Sequence, residues 1–177
     1  KEVMMIHNKK LSVVPLTTHL EIKNVTNKIS FDLIKVKTLT INKYYKKLFG
    51  KEPRIIVLGL NPHNSEDKIN SIESKIIAPS IINLQKLGIN IRGPYPADTA
   101  FSNQKKLKYD LIIGMYHDQV LAPFKALFGY DAINITLGLK YLRISPDHGT
   151  AKDIIGLNKA NPESLLSAIN FLNKIND

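Results

Sequence analysis

Apolar residues along this chain fall into short dense runs that alternate with longer amphipathic stretches. Residues 11–16 are a short, β-branched apolar run that suits a buried strand, broken off by Thr17-Thr18-His19. Ser30 is placed to cap a helix over residues 31–49, where Leu33, Val36, Leu39 and Leu48 recur at helical spacing and Gly50 follows as a C-terminal stop. Pro53 leads into a second strand, residues 54–60, that ends at the turn-forming Asn61-Pro62-His63. A helical pattern over residues 71–87 is closed by Gly88, with Pro79 expected to kink or interrupt it. Residues 89–91 read as a short strand entering a loop at Gly93-Pro94-Tyr95-Pro96. A basic, polar linker at 104–108 precedes a third strand at 111–115, a fourth strand covers 132–137, and an amphipathic helix at 163–175 follows Asn161-Pro162. Strands alternating with helices predict an α/β fold with a largely parallel sheet.

At 177 residues and 44% hydrophobic content the chain can bury a substantial core. Without cysteine it has neither disulfides nor thiolate metal sites. No stretch approaches the roughly 20 apolar residues that span a bilayer, so no membrane partner is expected. The opening Lys1-Glu2-Val3-Met4-Met5 shows no secretory pattern and reads as entry in mid-fold. The net charge of +10 raises the question of nucleic acid. Only Arg54, Arg92 and Arg143 are arginines, however, and the lysines are scattered, whereas nucleic-acid binders concentrate charge and favour arginine for base contacts. No nucleic-acid partner is expected.

In open α/β sheets, ligands gather at the carboxyl ends of strands. His19, His63 and His117 each follow one of the predicted strands. No local zinc motif connects them, so either they are three unrelated loop histidines or adjacent parallel strands bring them to one crevice. In the second case three imidazoles would hold a divalent cation and leave positions open for substrate.

The flanking residues carry more. Thr17-Thr18-His19-Leu20, Gly59-Leu60-Asn61-Pro62-His63, Gly93-Pro94-Tyr95-Pro96-Ala97-Asp98-Thr99, Met115-Tyr116-His117-Asp118-Gln119, Asn134-Ile135-Thr136-Leu137-Gly138-Leu139 and Arg143-Ile144-Ser145-Pro146-Asp147-His148-Gly149-Thr150-Ala151 stand in this order along the chain. Together they resemble the 4-hydroxythreonine-4-phosphate dehydrogenase family. The resemblance implies a three-layer α/β/α fold of the isocitrate/isopropylmalate dehydrogenase-like type, with the family's N-terminal portion outside this sequence. It divides the chain into a metal-bearing domain at a dimer interface (residues 1–128) and the C-terminal piece of a second, cofactor-binding domain (residues 129–177). It implies that His19, His63 and His117 hold zinc, magnesium or cobalt, one of them contributed across a homodimer, and that Lys125, Asn134 and Arg143 contact a phosphorylated substrate. His148-Gly149-Thr150-Ala151, with Asp153, resembles the loop that related dehydrogenases lay against NAD. A cytoplasmic vitamin B6 biosynthetic enzyme is implied, oxidising and decarboxylating 4-phosphooxy-L-threonine.

The group that accepts the substrate's hydroxyl proton stays open among Asp98, Asp118, Lys125 and a bound water, with Asp118 better suited to orienting a histidine. Two departures from the family pattern stand out. Asn64-Ser65-Glu66-Asp67 replaces a glycine-richer run, which predicts a stiffer loop after His63, and Val120 stands where glycine is common. A related dehydrogenase for another phosphorylated acid, or a catalytically silent metal-binding module, are the competing readings.

Overall fold

The computed structural model describes residues 2–176. Its centre is a seven-stranded sheet in the order β4-β3-β5-β2-β1-β6-β7. The strands are β1 (Val3–His7), β2 (Ser12–Pro15), β3 (Ile55–Leu58), β4 (Ile91–Tyr95), β5 (Leu111–Gly114), β6 (Ile133–Leu137) and β7 (Arg143–Pro146). From β2 to β4 every pairing is parallel, but β1 runs antiparallel to both β2 and β6, and β7 antiparallel to β6. The sheet is thus parallel in one half and antiparallel in the other, rather than largely parallel.

Helices α1 (Ile22–Lys28), α2 (Phe31–Phe49), α3 (Ala78–Lys86), α4 (Ala97–Ala100), α5 (Gln104–Leu107), α6 (His117–Phe128) and α7 (Glu163–Asn176) complete the fold. Strands β2, β3 and β5 of the parallel half are buried on both faces, as βαβ crossovers require, while the edge strand β4 buries only Ile91. In β3, Ile55 and Val57 join the core beneath α2 and α3, while Ile56 and Leu58 join the opposite core with Val120, Leu121 and Phe124 of α6. This is the expected α/β/α layering.

Helix α2 has the predicted limits. Ser30 Oγ accepts from Leu33 N at 3.2 Å, and Gly50 ends the helix at φ 68°. Before α3 the chain makes a π-helical turn, Glu73–Ile77, so Pro79 falls in the first turn of a fresh helix, where its missing N–H breaks no bond. Other expectations are corrected. Gly93, Pro94 and Tyr95 belong to β4 and not to a loop. Gly93 is needed there, because a Cβ would lie 2.4 Å from the Val57 carbonyl oxygen. Residues 104–107 of the expected linker are helical. Strands β1 and β7 and helices α1 and α6 were not anticipated; in α6 an internal Pro123 masks a pattern whose Val120, Leu121 and Phe124 share one buried face. Val120 packs on Gly114, whose missing side chain leaves room for it, so the helix accepts valine where glycine is common.

The sheet runs unbroken past residue 128, since β6 pairs with β1 from Ile133 opposite His7 to Leu137 opposite Val3. The two parts expected on either side of that residue therefore share one sheet.

Candidate active site

Four neighbouring parallel strands deliver their carboxyl ends to one edge of the sheet. Their spatial order β2-β5-β3-β4 brings His19, His117, His63 and Asp98 to that edge in turn. His19 and His117 follow paired strands, and their ring centroids lie 6.1 Å apart. Two imidazoles sharing a cation at about 2.1 Å per bond place their centroids roughly 5 Å apart, so this pair is open by about an ångström. Asp118 Oδ1 lies 2.7 Å from His117 Nδ1, a contact that holds the ring so that its Nε2 is the free ligand atom.

Polar side chains that sequence reading passed over pin these loops. Thr17 Oγ1 donates to the Met115 carbonyl at 2.8 Å. Gln119 accepts from Met115 N and donates to the Gly59 carbonyl, each at 2.7 Å, tying the ends of β5 and β3 together. Glu73, only 3% exposed, accepts from Leu60 N, Asn61 N, Asn61 Nδ2 and Ser65 Oγ, all between 2.8 and 3.1 Å. Burial works against its ionisation, but these hydrogen bonds outweigh it and hold the carboxyl below its ordinary value.

His63 takes a different direction. Residues His63, Asn64, Ser65 and Glu66 all adopt left-handed backbone, φ 50° to 57°. For residues with a Cβ this costs on the order of 1 kcal/mol each. Ser65 is held by Glu73, and Asn64 Nδ2 donates to the Pro94 carbonyl at 3.0 Å. The residues that depart from the family pattern thus tie the loop to Glu73 and to β4. The turn carries His63 away from the other histidines to within 4.0 Å of Asp98, with both side chains exposed. Among the described residues, no three His, Asp or Glu side chains gather tightly enough to hold a metal ion within one chain.

A groove of about 530 Å³ runs along α6 over β1 and β6, lined by His19, His117, Asp118, Lys125, Asn134 and Asp147 among others. The expected cofactor residues His148, Gly149, Thr150, Ala151 and Asp153 line a cleft of about 1260 Å³. Groove and cleft share Lys125, His148 and Gly149. A Cβ on Gly149 would meet nothing within 4 Å, leaving its backbone open to a ligand. Of the three expected substrate contacts Lys125 and Asn134 line the groove, whereas Arg143, like His63 and Asp98, does not; its Nη1 donates to Thr136 Oγ1 across the β6–β7 ladder at 2.9 Å. Asp147 carried no expectation, yet it is 8% exposed and lies against Lys125. Burial raises its carboxyl above the ordinary value, and the charges of Lys125, His117 and His148 oppose that rise.

Known proteins resemble this chain over nearly its whole length. A family model described as "Pyridoxal phosphate biosynthetic protein PdxA" matches residues 1–172. A 4-hydroxythreonine-4-phosphate dehydrogenase of Xanthobacter autotrophicus is 42% identical over 177 residues, covering 99% of this chain and 51% of that protein. One from a Sulfurihydrogenibium species is 44% identical over 168 residues, covering 94% and 52%. The crystal structure of the Klebsiella pneumoniae 4-hydroxythreonine-4-phosphate dehydrogenase superposes with a TM-score of 0.84 at 33% identity, over 99% of this chain and 54% of that one. A terephthalate 1,2-cis-dihydrodiol dehydrogenase from Burkholderia xenovorans is also similar, with a TM-score of 0.75 at 26% identity, over 97% and 55%. The chain spans about half the length of the curated relatives it matches. A family model matched over residues 1–172 and relatives above 40% identity along nearly the whole chain lead to one conclusion: the chain belongs to the PdxA family of pyridoxal phosphate biosynthetic proteins.

Proposed function

We propose that the complete protein carrying this chain catalyses NAD-dependent oxidation and decarboxylation of 4-phosphooxy-L-threonine, yielding 3-amino-2-oxopropyl phosphate, carbon dioxide and NADH. The observation that carries this reading is that groove and cleft adjoin, with Lys125, His148 and Gly149 lining both. Hydride transfer requires substrate and nicotinamide to touch, and here a groove of imidazole, amide and ammonium groups shares a wall with a cleft large enough for a dinucleotide.

The donor set suits a divalent cation: His19 and His117 are neighbours on one chain, and His117 is oriented by Asp118. His63 stands apart, exposed beside Asp98. In a homodimer with the site at the interface, His63 of the partner subunit completes the set. When bound, the cation supplies Lewis-acid polarisation of the substrate hydroxyl, and NAD accepts the hydride. The chain's own groups bind and orient. Lys125 presents an ammonium to the substrate's anionic groups, Asn134 lines the groove beside β1, and the His148–Gly149 backbone borders the cofactor cleft. Asp118 keeps the proton of His117 on Nδ1.

Following NADH absorbance with the purified complete protein, 4-phosphooxy-L-threonine and each of zinc, magnesium and cobalt tests the reading. Metal-dependent turnover is the expected result; none with any of the three metals refutes it.

A second reading, a related dehydrogenase for a different acid, is favoured by Arg143 lying outside the groove. The two separate on Arg143→Ala. On the first reading KM for the phosphorylated substrate rises about tenfold, as loss of a charged hydrogen bond implies. On the second, KM is unchanged and another hydroxy acid is turned over faster.

A further inference from the structure

Lys125 reaches the groove from the third turn of α6, and it does not reach alone. Its Nζ donates to the Asp147 carbonyl at 3.0 Å and lies 3.5 Å from Asp147 Oδ1. Both oxygens belong to the residue that follows β7. That residue is itself fixed: Asp147 N donates to Ser164 Oγ at 2.8 Å, and the same hydroxyl donates to the Ala132 carbonyl at the start of β6. Ser164, in the first turn of α7, is fully buried. A chain of contacts thus runs from α7 through Asp147 to the ammonium.

The other carboxylate oxygen, Asp147 Oδ2, is buried and has no hydrogen-bond partner among the described residues, although Asp147 lines the groove. An unpaired buried oxygen is costly, and native proteins keep such groups where a ligand or a nearby charge makes use of them. The nearby charge is Lys125, whose side chain is 43% exposed. An ammonium has three donors; the Asp147 carbonyl and carboxylate occupy one side of it and leave the rest to the groove. A lysine on a flexible four-carbon stem otherwise loses side-chain freedom when it grips an anion, and a fixed counter-charge lowers that loss.

We infer that Asp147 is a positioning residue for anion binding: it holds the Lys125 ammonium, charged and aimed, at the point in the groove where the phosphate or carboxylate of the substrate is gripped. The role rests on the proposed reading of the groove as a substrate site, with Asp147 acting only through Lys125.

The test uses the complete protein and two readouts. Binding of inorganic phosphate is measured by calorimetry, and KM and kcat are measured with 4-phosphooxy-L-threonine, for the wild type, Asp147→Asn, Lys125→Ala and the double variant. Asp147→Asn keeps the backbone carbonyl contact and removes the charge. It should weaken phosphate binding and raise KM by about tenfold, with kcat changed less than threefold. If Asp147 acts through Lys125, the double variant binds phosphate no worse than Lys125→Ala. Unchanged affinity in Asp147→Asn, or losses that multiply in the double variant, would overturn the inference, the second outcome indicating a direct or purely structural role. Should Asp147→Asn fail to fold, Asp147→Glu keeps the charge and shifts the ammonium by one methylene; phosphate affinity should fall at least threefold, and wild-type affinity would again overturn it. A wild-type protein that binds phosphate but turns over no 4-phosphooxy-L-threonine would sink the proposed reaction while leaving the Asp147–Lys125 coupling measurable. One that binds neither sinks both.

Discussion

Glu73 offers the sharpest test of how this fold holds its site. Its carboxylate, 3% exposed, is the acceptor for two backbone N–H groups, Leu60 and Asn61, and for the side chains of Asn61 and Ser65. Replacing it with alanine strips four donors of their charged acceptor and leaves the two N–H groups facing a hole. Removing one member of such a buried network costs about 3–5 kcal/mol. Glu73→Gln is milder, because the amide oxygen can still serve Leu60 and Asn61 while Ser65 turns to accept from the new amine; the loss should be about 1 kcal/mol. With no tryptophan in the chain, unfolding in urea is followed by far-ultraviolet circular dichroism. The two variants should separate clearly in midpoint at an unchanged slope. The same loop carries His63, so zinc affinity of the complete protein should fall with Glu73→Ala and much less with Glu73→Gln. A Glu73→Ala protein within 1 kcal/mol of the wild type would show that the four left-handed residues need no clamp.

Three further outcomes follow from named contacts. His7 is half-buried against Phe49 and Phe171, its Nδ1 2.8 Å from Ser12 Oγ, and loss of solvent lowers its pKa to about 4. Because the unfolded chain takes up that proton near pH 6.5, stability is full above pH 6.5 and declines as pH falls toward 4, by up to about 3 kcal/mol. Urea midpoints at several pH values should show this slope, and His7→Gln should lack it. Val120→Gly restores a common family residue yet empties a fully buried site inside α6, so it should destabilise by about 3 kcal/mol in thermal melts; a neutral or stabilising result would show that α6 does not need this contact. Asp118→Asn weakens the hold on His117 and should reduce zinc affinity 10- to 100-fold by calorimetry, with wild-type affinity ruling out the orienting role.

Local information was enough for much of the frame. The strands read at residues 11–16, 54–60 and 111–115, the helix over 31–49 and the break at Pro79 were all legible, because β-branched runs, an N-cap, a C-terminal glycine and proline act on their own neighbourhoods. The motif blocks around His19, His63, His117 and His148 were legible for the same reason: a strand end followed by a turn is a local event. Strand β1 and helix α6 were hidden, the first in a run whose pairing with both β2 and β6 only the assembled sheet supplies, the second behind Pro123. Tertiary structure alone decided which strand-end residues meet. The order β2-β5-β3-β4 set His19 beside His117, and the left-handed turn clamped by Glu73 sent His63 toward Asp98. It also decided that Arg143 spends its hydrogen bond on Thr136 and that Asp147, unremarkable in the sequence, backs Lys125. The physical reason is the same in each case. Strand order and the burial of a polar group are set by which apolar faces pack together across the whole sheet, and no window of neighbouring residues contains that information.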